Sequence, residues 1–298
     1  VFAGYLGSSV LITAQTGEPA REVDLSGAVI WEGPPNNNSL RPETHDIGKT
    51  STGNYLINTD YWVNLSGMWW VDAFVQELQP NLTEAWSWHL FDHQPPAGTR
   101  GDTCHGNAMT LDEPNNVLYY NCRWLGLLKV DRATGDILWR LGSGYDTTTY
   151  GPGDFTFDPP ESRYDDTHDP EIHADGTIIF YDNGGYENPP TGKYHSRVIE
   201  YQVDQVAKVA TRTFEFPGTF DVDAWYKTNW YSPIFGSVRR LANTNLLVDA
   251  PTGSSTDFTR VFEVTRSGEI VWQLELPAGV SSYRARRMSP PPLVEPLP

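Results

Sequence analysis

The chain of 298 residues carries 21 basic and 38 acidic side chains, a formal net charge of −17, which disfavours nucleic acid or an anionic membrane surface as a partner. No stretch approaches the roughly 20 apolar residues of a membrane span, and Val1 to Leu11 lack the basic start of a signal peptide, so the chain reads as a mature or trimmed product. Aromatic residues at 13%, with 26 Gly and 23 Pro, favour strands and tight turns over helices.

From the amino terminus, Val10-Leu11-Ile12, Glu22-Val23-Asp24-Leu25 and Val29-Ile30-Trp31 read as three strands. The last two form a phrase that recurs: an apolar strand with Glu, a turn with Gly or Asn, and an apolar strand ending in Trp. It runs from Arg21 to Trp31 and again from Phe262 to Trp272, with Trp nine positions after Glu each time. Between them Gln76-Glu77-Leu78 leads to Trp86, and Val130-Asp131 leads through Gly135 to Trp139. Ile199-Glu200-Tyr201 begins a copy without its Trp.

A second phrase precedes four of the five copies: Gly53-Asn54-Tyr55-Leu56-Ile57, Asn116-Val117-Leu118-Tyr119, Gly176-Thr177-Ile178-Ile179-Phe180 and Asn245-Leu246-Leu247-Val248. Each unit then has four strands. This recurrence predicts an all-β chain, a β-propeller of four-stranded blades, rather than a β-sandwich. The first copy lacks its innermost strand, and Tyr283-Arg284-Ala285-Arg286-Arg287 is a spare strand at the other end. The propeller is therefore expected to close between amino- and carboxy-terminal strands, which removes two open edges. Residues 1–288 form a single propeller domain in this reading, and the proline-rich residues 289–298 an extended arm. Sequons stand at Asn37, Asn64 and Asn81.

The first strand of each propeller blade lines the central channel, and histidines occupy that place here. His45 lies eight residues before Gly53 and His168 eight before Gly176, while His105 precedes the second phrase of its own unit. The fifth unit has Gly236 at the corresponding point. Taking parity as preserved across the turn from Asp112 to Asn116, His105, Asn107, Asn121 and Arg123 share one face. Cys104 and Cys122 share the other, on paired strands, and are expected to form a disulfide. The guanidinium fork of Arg123 and protonated imidazoles suit an oxyanion, and an imidazole can attack a sulfuryl or phosphoryl centre. A zinc site ranks second, because Arg123 would repel the cation.

The acidic stretches Asp154-Phe155-Thr156, Asp165-Asp166 and Asp221-Val222-Asp223 fit no recognised calcium spacing. His89, His93, His173 and His195 receive no role.

These residues resemble the arylsulfotransferase family. The match lies in His105-Gly106-Asn107, Asn121-Cys122-Arg123, the run from Lys129 to Gly142, and His168-Asp169-Pro170 followed by Asp182-Asn183-Gly184, with His45-Asp46 similar to the remaining active-site histidine. The resemblance spans residues from about 10 to 287. It implies six blades and transfer of a sulfuryl group from an aryl sulfate to a phenol, with no nucleotide donor, no cofactor and no metal. It implies His168 as the transiently sulfated nucleophile, Arg123, His105 and Asn107 on the sulfuryl oxygens, and His45 at the bridging oxygen. Asn121, Arg284 and Arg286 are expected to add to substrate binding. The expected protein is secreted, extracellular or periplasmic, with small-molecule partners and a homo-oligomer left open. The competing class is a non-catalytic propeller serving as a binding or assembly module.

Overall fold

The computed structural model describes the chain except residues 1, 6–8, 14–17, 36–39, 99–100, 144–146, 185–195, 219–230, 252–257 and 288–298. The Asn37 sequon, the 221–223 acidic stretch, His195 and the arm at 289–298 lie outside the described residues. Among the described residues no helix is long and apolar enough to cross a membrane.

The chain folds as five antiparallel blades. The first holds β1 (Phe2–Tyr5), β2 (Ser9–Thr13), β3 (Arg21–Asp24) and β4 (Val29–Glu32), and the second β5 (Leu40–Lys49), β6 (Tyr55–Leu65), β7 (Met68–Leu78) and β8 (Glu84–His89). The third holds β9 (Gly106–Asp112), β10 (Val117–Cys122), β11 (Gly126–Asp131) and β12 (Ile137–Gly142). In the fourth, β13 (Thr156–Asp158) joins β17 (Val209–Phe216) in parallel, outside β14 (Thr167–Ile172), β15 (Thr177–Asp182) and β16 (Arg197–Asp204). The fifth holds β18 (Ser237–Arg240), β19 (Leu246–Ala250), β20 (Arg260–Val264) and β21 (Ile270–Glu275). This is an all-β propeller fold with five blades among the described residues, not the six that the family resemblance implied.

The closing strand is also corrected. β1 pairs with β2 from Phe2↔Thr13 to Tyr5↔Val10, so the first blade owns its inner strand. Tyr283–Arg287 forms no strand. Tyr283 O accepts from Gly236 N at 3.1 Å and Ala285 N donates to Ser237 Oγ at 3.0 Å, so this segment satisfies its backbone along the start of β18. A four-residue strand interrupted by Gly4 leaves too little periodicity for β1 to show in the sequence.

The recurring Glu and Trp are cross-strand neighbours. Glu22 stands opposite Trp31, Glu77 opposite Trp86 and Glu263 opposite Trp272; in the third blade Lys129 faces Trp139, and in the fourth Phe214 takes the indole's place opposite Glu200. A one-residue register shift follows the pair in every blade, and with the short turns of the first, second and fifth blades it sets the nine-residue spacing there. Each buried carboxylate is held by donors. Glu22 accepts from Ser9 Oγ at 2.5 Å and Lys49 Nζ at 2.6 Å, Glu77 from Asn54 at 2.7 Å, Glu200 from Arg266 at 2.7 Å, and Glu263 from Asn245 at 2.6 Å.

The chain divides into two compact units: Val1–Pro96 with Arg100–Asp102 and Arg286–Pro298, and Thr103–Ala285 with Ala97–Thr99. The first has a core around Leu11, Trp31, Tyr55 and Ile57. The second has two cores, one around Trp139, Tyr164, Phe180 and Tyr201, the other around Tyr181, Val238 and Phe262.

Candidate active site

The second unit brings together two hairpins. β9 and β10 pair from Val117↔Asp112 to Asn121↔Ala108, one residue out of phase with the parity expected from the turn. A bulge between Asn121 and Cys122 restores it, placing Cys122 opposite Gly106. Beyond the bulge Arg123 N donates to His105 O at 3.1 Å and Trp124 N to Cys104 O at 3.2 Å. Cys104 and Cys122 are joined by a disulfide. Asn107 is the extra residue, and its Oδ1 accepts from Asn121 Nδ2 at 2.7 Å. Gly106 is required, because a Cβ there would collide with the Tyr120 hydroxyl.

The β14–β15 hairpin contains a second bulge. Ile172↔Ile178 and Glu171↔Ile179 follow one register, while His168↔Tyr181 and Thr167↔Asp182 follow another, shifted by one. The shift moves Asn183 onto the face of His168, as its diagonal neighbour. Asn183 N donates to Asp166 O at 2.7 Å, continuing the ladder past β15.

Three side-chain arrangements fix this face. Asn107 Nδ2 and Asn121 Nδ2 donate to Thr167 O at 2.7 and 2.9 Å, so the carbonyl entering His168 is held by two amides. Arg123 meets Asp166 through Nε at 3.0 and 2.9 Å and Nη2 at 2.9 Å, and Nη2 also donates to Pro233 O at 3.1 Å. Asp169 is paired with Arg239 at 2.6 Å and with Arg284 at 3.6 Å. His168, 2% exposed, places Nδ1 2.8 Å from Asn183 Oδ1.

Aromatic rings form the surroundings. Phe235 and Tyr283 stand edge-on to the His168 ring, with centroids 6.3 and 6.0 Å away, and the Tyr283 hydroxyl donates to Asn107 O at 2.9 Å. The His105 ring lies 5.6 Å from Trp124, over which Arg123 is stacked at 4.5 Å. Gly236 occupies the fifth-blade position aligned with the histidines because any Cβ there would strike the Tyr181 ring.

Of the ten described non-glycine residues at positive φ, Ser66, Leu82, Asn116, Lys208 and Thr244 sit in hairpin turns. Four of the others, His105 (51°), Asp166 (93°), Asp169 (46°) and Phe235 (66°), belong to this site. Such backbone costs about 1 kcal/mol or more per residue and persists where surrounding contacts over-determine it.

Charge is unevenly compensated. Burial pushes the Asp166 carboxyl up to about 6, against the pull of Arg123 and His105. Arg197 neutralises Asp182 at 2.7 Å. Asp165, 3% exposed, donates its backbone N–H to Asp182 at 3.1 Å, but neither of its carboxyl oxygens has a hydrogen-bond partner among the described residues. Burial, then Asp182 and Asp166, push the Asp165 carboxyl up to about 8.

The geometry thus gathers His105, Asn107, Asn121, Arg123, His168 and Arg284 in the second unit. His45, buried at φ 74°, and Arg286 belong to the first unit. Sequence reasoning missed Asp166, Asn183, Phe235, Arg239 and Tyr283 as parts of the site. The Asp182-Asn183-Gly184 segment carries part of the family resemblance, but the register shift that turns Asn183 toward His168 leaves no mark in the sequence.

Fold and site together define a propeller protein with an enclosed histidine, amide and guanidinium centre. The chain belongs to the arylsulfotransferase family: the family model described as Arylsulfotransferase (ASST) matches residues 7–284. No curated protein matches it. Among solved structures, a protein of unknown function from Bacteroides caccae superposes with a TM-score of 0.53 at 9% identity, over 90% of this chain and 78% of that one, a likeness of fold. The Cps50 (Swd1) β-propeller domain of Myceliophteria thermophila aligns at 10% identity, TM-score 0.48, over 93% and 86% of the two chains. BamB from Moraxella catarrhalis aligns at 12% identity, TM-score 0.37, over 92% and 63%.

Proposed function

We propose that the protein moves a sulfuryl group from an aryl sulfate to a phenol through a sulfohistidine at His168. The observation that carries this reading is the His168 ring held by Asn183 at 2.8 Å, edge-on to the adjoining Phe235 and Tyr283 rings, two residues after the Asp166 that Arg123 binds. In the first half-reaction the imidazole lone pair forms an N–S bond while the bond from sulfur to the bridging oxygen breaks, its electron pair leaving as phenolate, which takes a proton. In the second, an acceptor phenol gives up its proton, its oxygen attacks sulfur, and the N–S pair returns to His168. Arg123 and His105 stabilise charge on the sulfuryl oxygens, and Phe235, Tyr283 and Trp124 accommodate the aryl group. Asn107 and Asn121 act through the His168 backbone. The disulfide suits an oxidising compartment, periplasmic or extracellular.

A binding module is the second reading, favoured by one observation: Arg123 is already committed to Asp166. A burst of coloured phenol from 4-nitrophenyl sulfate, stoichiometric with protein and absent in His168→Ala, supports catalysis. Saturable binding of the ester without any burst would establish the module instead.

A further inference from the structure

We infer that Asn183 is a positioning residue that holds neutral His168 in its Nδ1-protonated tautomer and so makes Nε2 the nucleophilic nitrogen; the inference deepens the sulfuryl-transfer reading and rests on it. The argument starts with the amide of Asn183, a buried side chain at 1% exposure. An amide nitrogen has two N–H donors, and both are used here: Nδ2 donates to Ser232 O and to Phe235 O, each at 2.9 Å. Turning the amide over would bring its oxygen against two carbonyl oxygens and forfeit both bonds, so the orientation is decided by its neighbours. Oδ1 therefore faces Nδ1 of His168 as an acceptor, and Nδ1 must carry the hydrogen. Neutral imidazole has one N–H, which leaves the lone pair on Nε2. Free histidine in water prefers the opposite tautomer, so the protein is selecting the less common form.

The selector is itself held from several sides. Asn183 N donates to Asp166 O at 2.7 Å, and Asn183 O accepts from Ser196 Oγ at 3.1 Å. The same hydroxyl accepts from Ser232 N at 2.9 Å, tying the Ser232–Phe235 segment to the end of β15. Arg123 reaches that segment too, through Pro233 O at 3.1 Å. The position of Phe235, whose ring faces His168, and the tautomer of His168 thus depend on one amide. An aspartate at 183 would also accept from Nδ1, but its charge would favour imidazolium, which has no lone pair to offer sulfur, and it would set a carboxylate against two carbonyls. A neutral acceptor with two donors is what the arrangement demands.

The assignment is read directly from imidazole ¹⁵N shifts. Long-range ¹H–¹⁵N correlation spectra of the full chain, with His168 identified by its loss in His168→Gln, should show Nδ1 as protonated and Nε2 as the unprotonated, pyridine-type nitrogen when the ring is neutral. A His168 signal with Nε2 protonated in the unmodified protein overturns the inference, and His168→Gln serves only to assign that signal. In Asn183→Leu the signal should move toward the opposite tautomer, while kcat with 4-nitrophenyl sulfate falls by about 10²-fold or more and KM changes little. A folded Asn183→Leu protein with unchanged ¹⁵N shifts and kcat also overturns it. If the tautomer is as stated but the unmodified protein gives no phenol burst, the positioning role of Asn183 stands and sulfuryl transfer falls.

Discussion

The β9–β10 and β14–β15 hairpins use the same device with different fastenings. Each bends at a one-residue bulge beside its histidine, and each holds non-glycine residues at positive φ. The first is closed by the Cys104–Cys122 disulfide and presents neutral amides, Asn107 and Asn121. The second is held by charges: Asp166 on Arg123, Asp169 between Arg239 and Arg284, and Asp182 on Arg197. A covalent clamp keeps its geometry at any pH, whereas a buried ionic network is only as sound as its protonation state. The disulfide-closed hairpin supports, and the charge-held one carries His168, the nucleophile of the proposed reaction.

The largest effect should separate the two histidines. On the proposed mechanism His168→Ala should abolish the phenol burst, whereas His105→Ala, which would remove one proposed donor to the sulfuryl oxygens, should slow turnover by about 10²-fold. Stopped-flow release of 4-nitrophenol measures both, and equal losses would erase the distinction between the hairpins.

Removing a partner from the charged hairpin comes next. Asp166→Ala removes the carboxylate that pairs with the buried Arg123 guanidinium and should cost about 3–5 kcal/mol in urea unfolding. A loss below about 1 kcal/mol would mean that the ion pair is effectively solvated.

In the clamped hairpin, the Cys104→Ser, Cys122→Ser double variant opens a loop spanning 18 residues of sequence. The loop-entropy model puts the loss at about 3 kcal/mol, and it should be the same at pH 6 and pH 9. A loss that varies strongly with pH would show that the two hairpins do not differ in the way described.

The smallest change is expected at Asp165. Its folded carboxyl titrates at about 8 against an ordinary value of 3.8, so between those values the folded chain keeps a proton that the unfolded chain has released. Its contribution to stability is complete below about pH 4 and is lost as pH rises through about 8. Asp165→Asn should flatten that decline and stabilise the protein at pH 8.5 by about 2 kcal/mol, the linkage value reduced by local relaxation. Thermal melts of both proteins across pH 5 to 9 that stay parallel would refute the assignment.

The sequence by itself determined the repeating strands of the blades, β1 excepted, and the cysteine pair, because those features repeat or lie close together along the chain. The Glu and Trp phrase was legible since each pair is a cross-strand contact closed by a short turn, and Glu200 facing Phe214 shows that the position outlasts the indole. The cysteine pair was legible for the same reason, although the turn is one residue off and the bulge at Asn121 restores the match. Tertiary structure alone decided the rest. Arg123 reaches Asp166 across 43 residues and Tyr283 reaches Asn107 across 176, separations over which no local pattern survives. Asn183 faces His168 only because a bulge near Asp169 shifts the register by one. Side chains alternate with a period of two, so a single extra residue exchanges the faces of everything beyond it, and its placement depends on the packing of the folded chain rather than on the identity of any one residue.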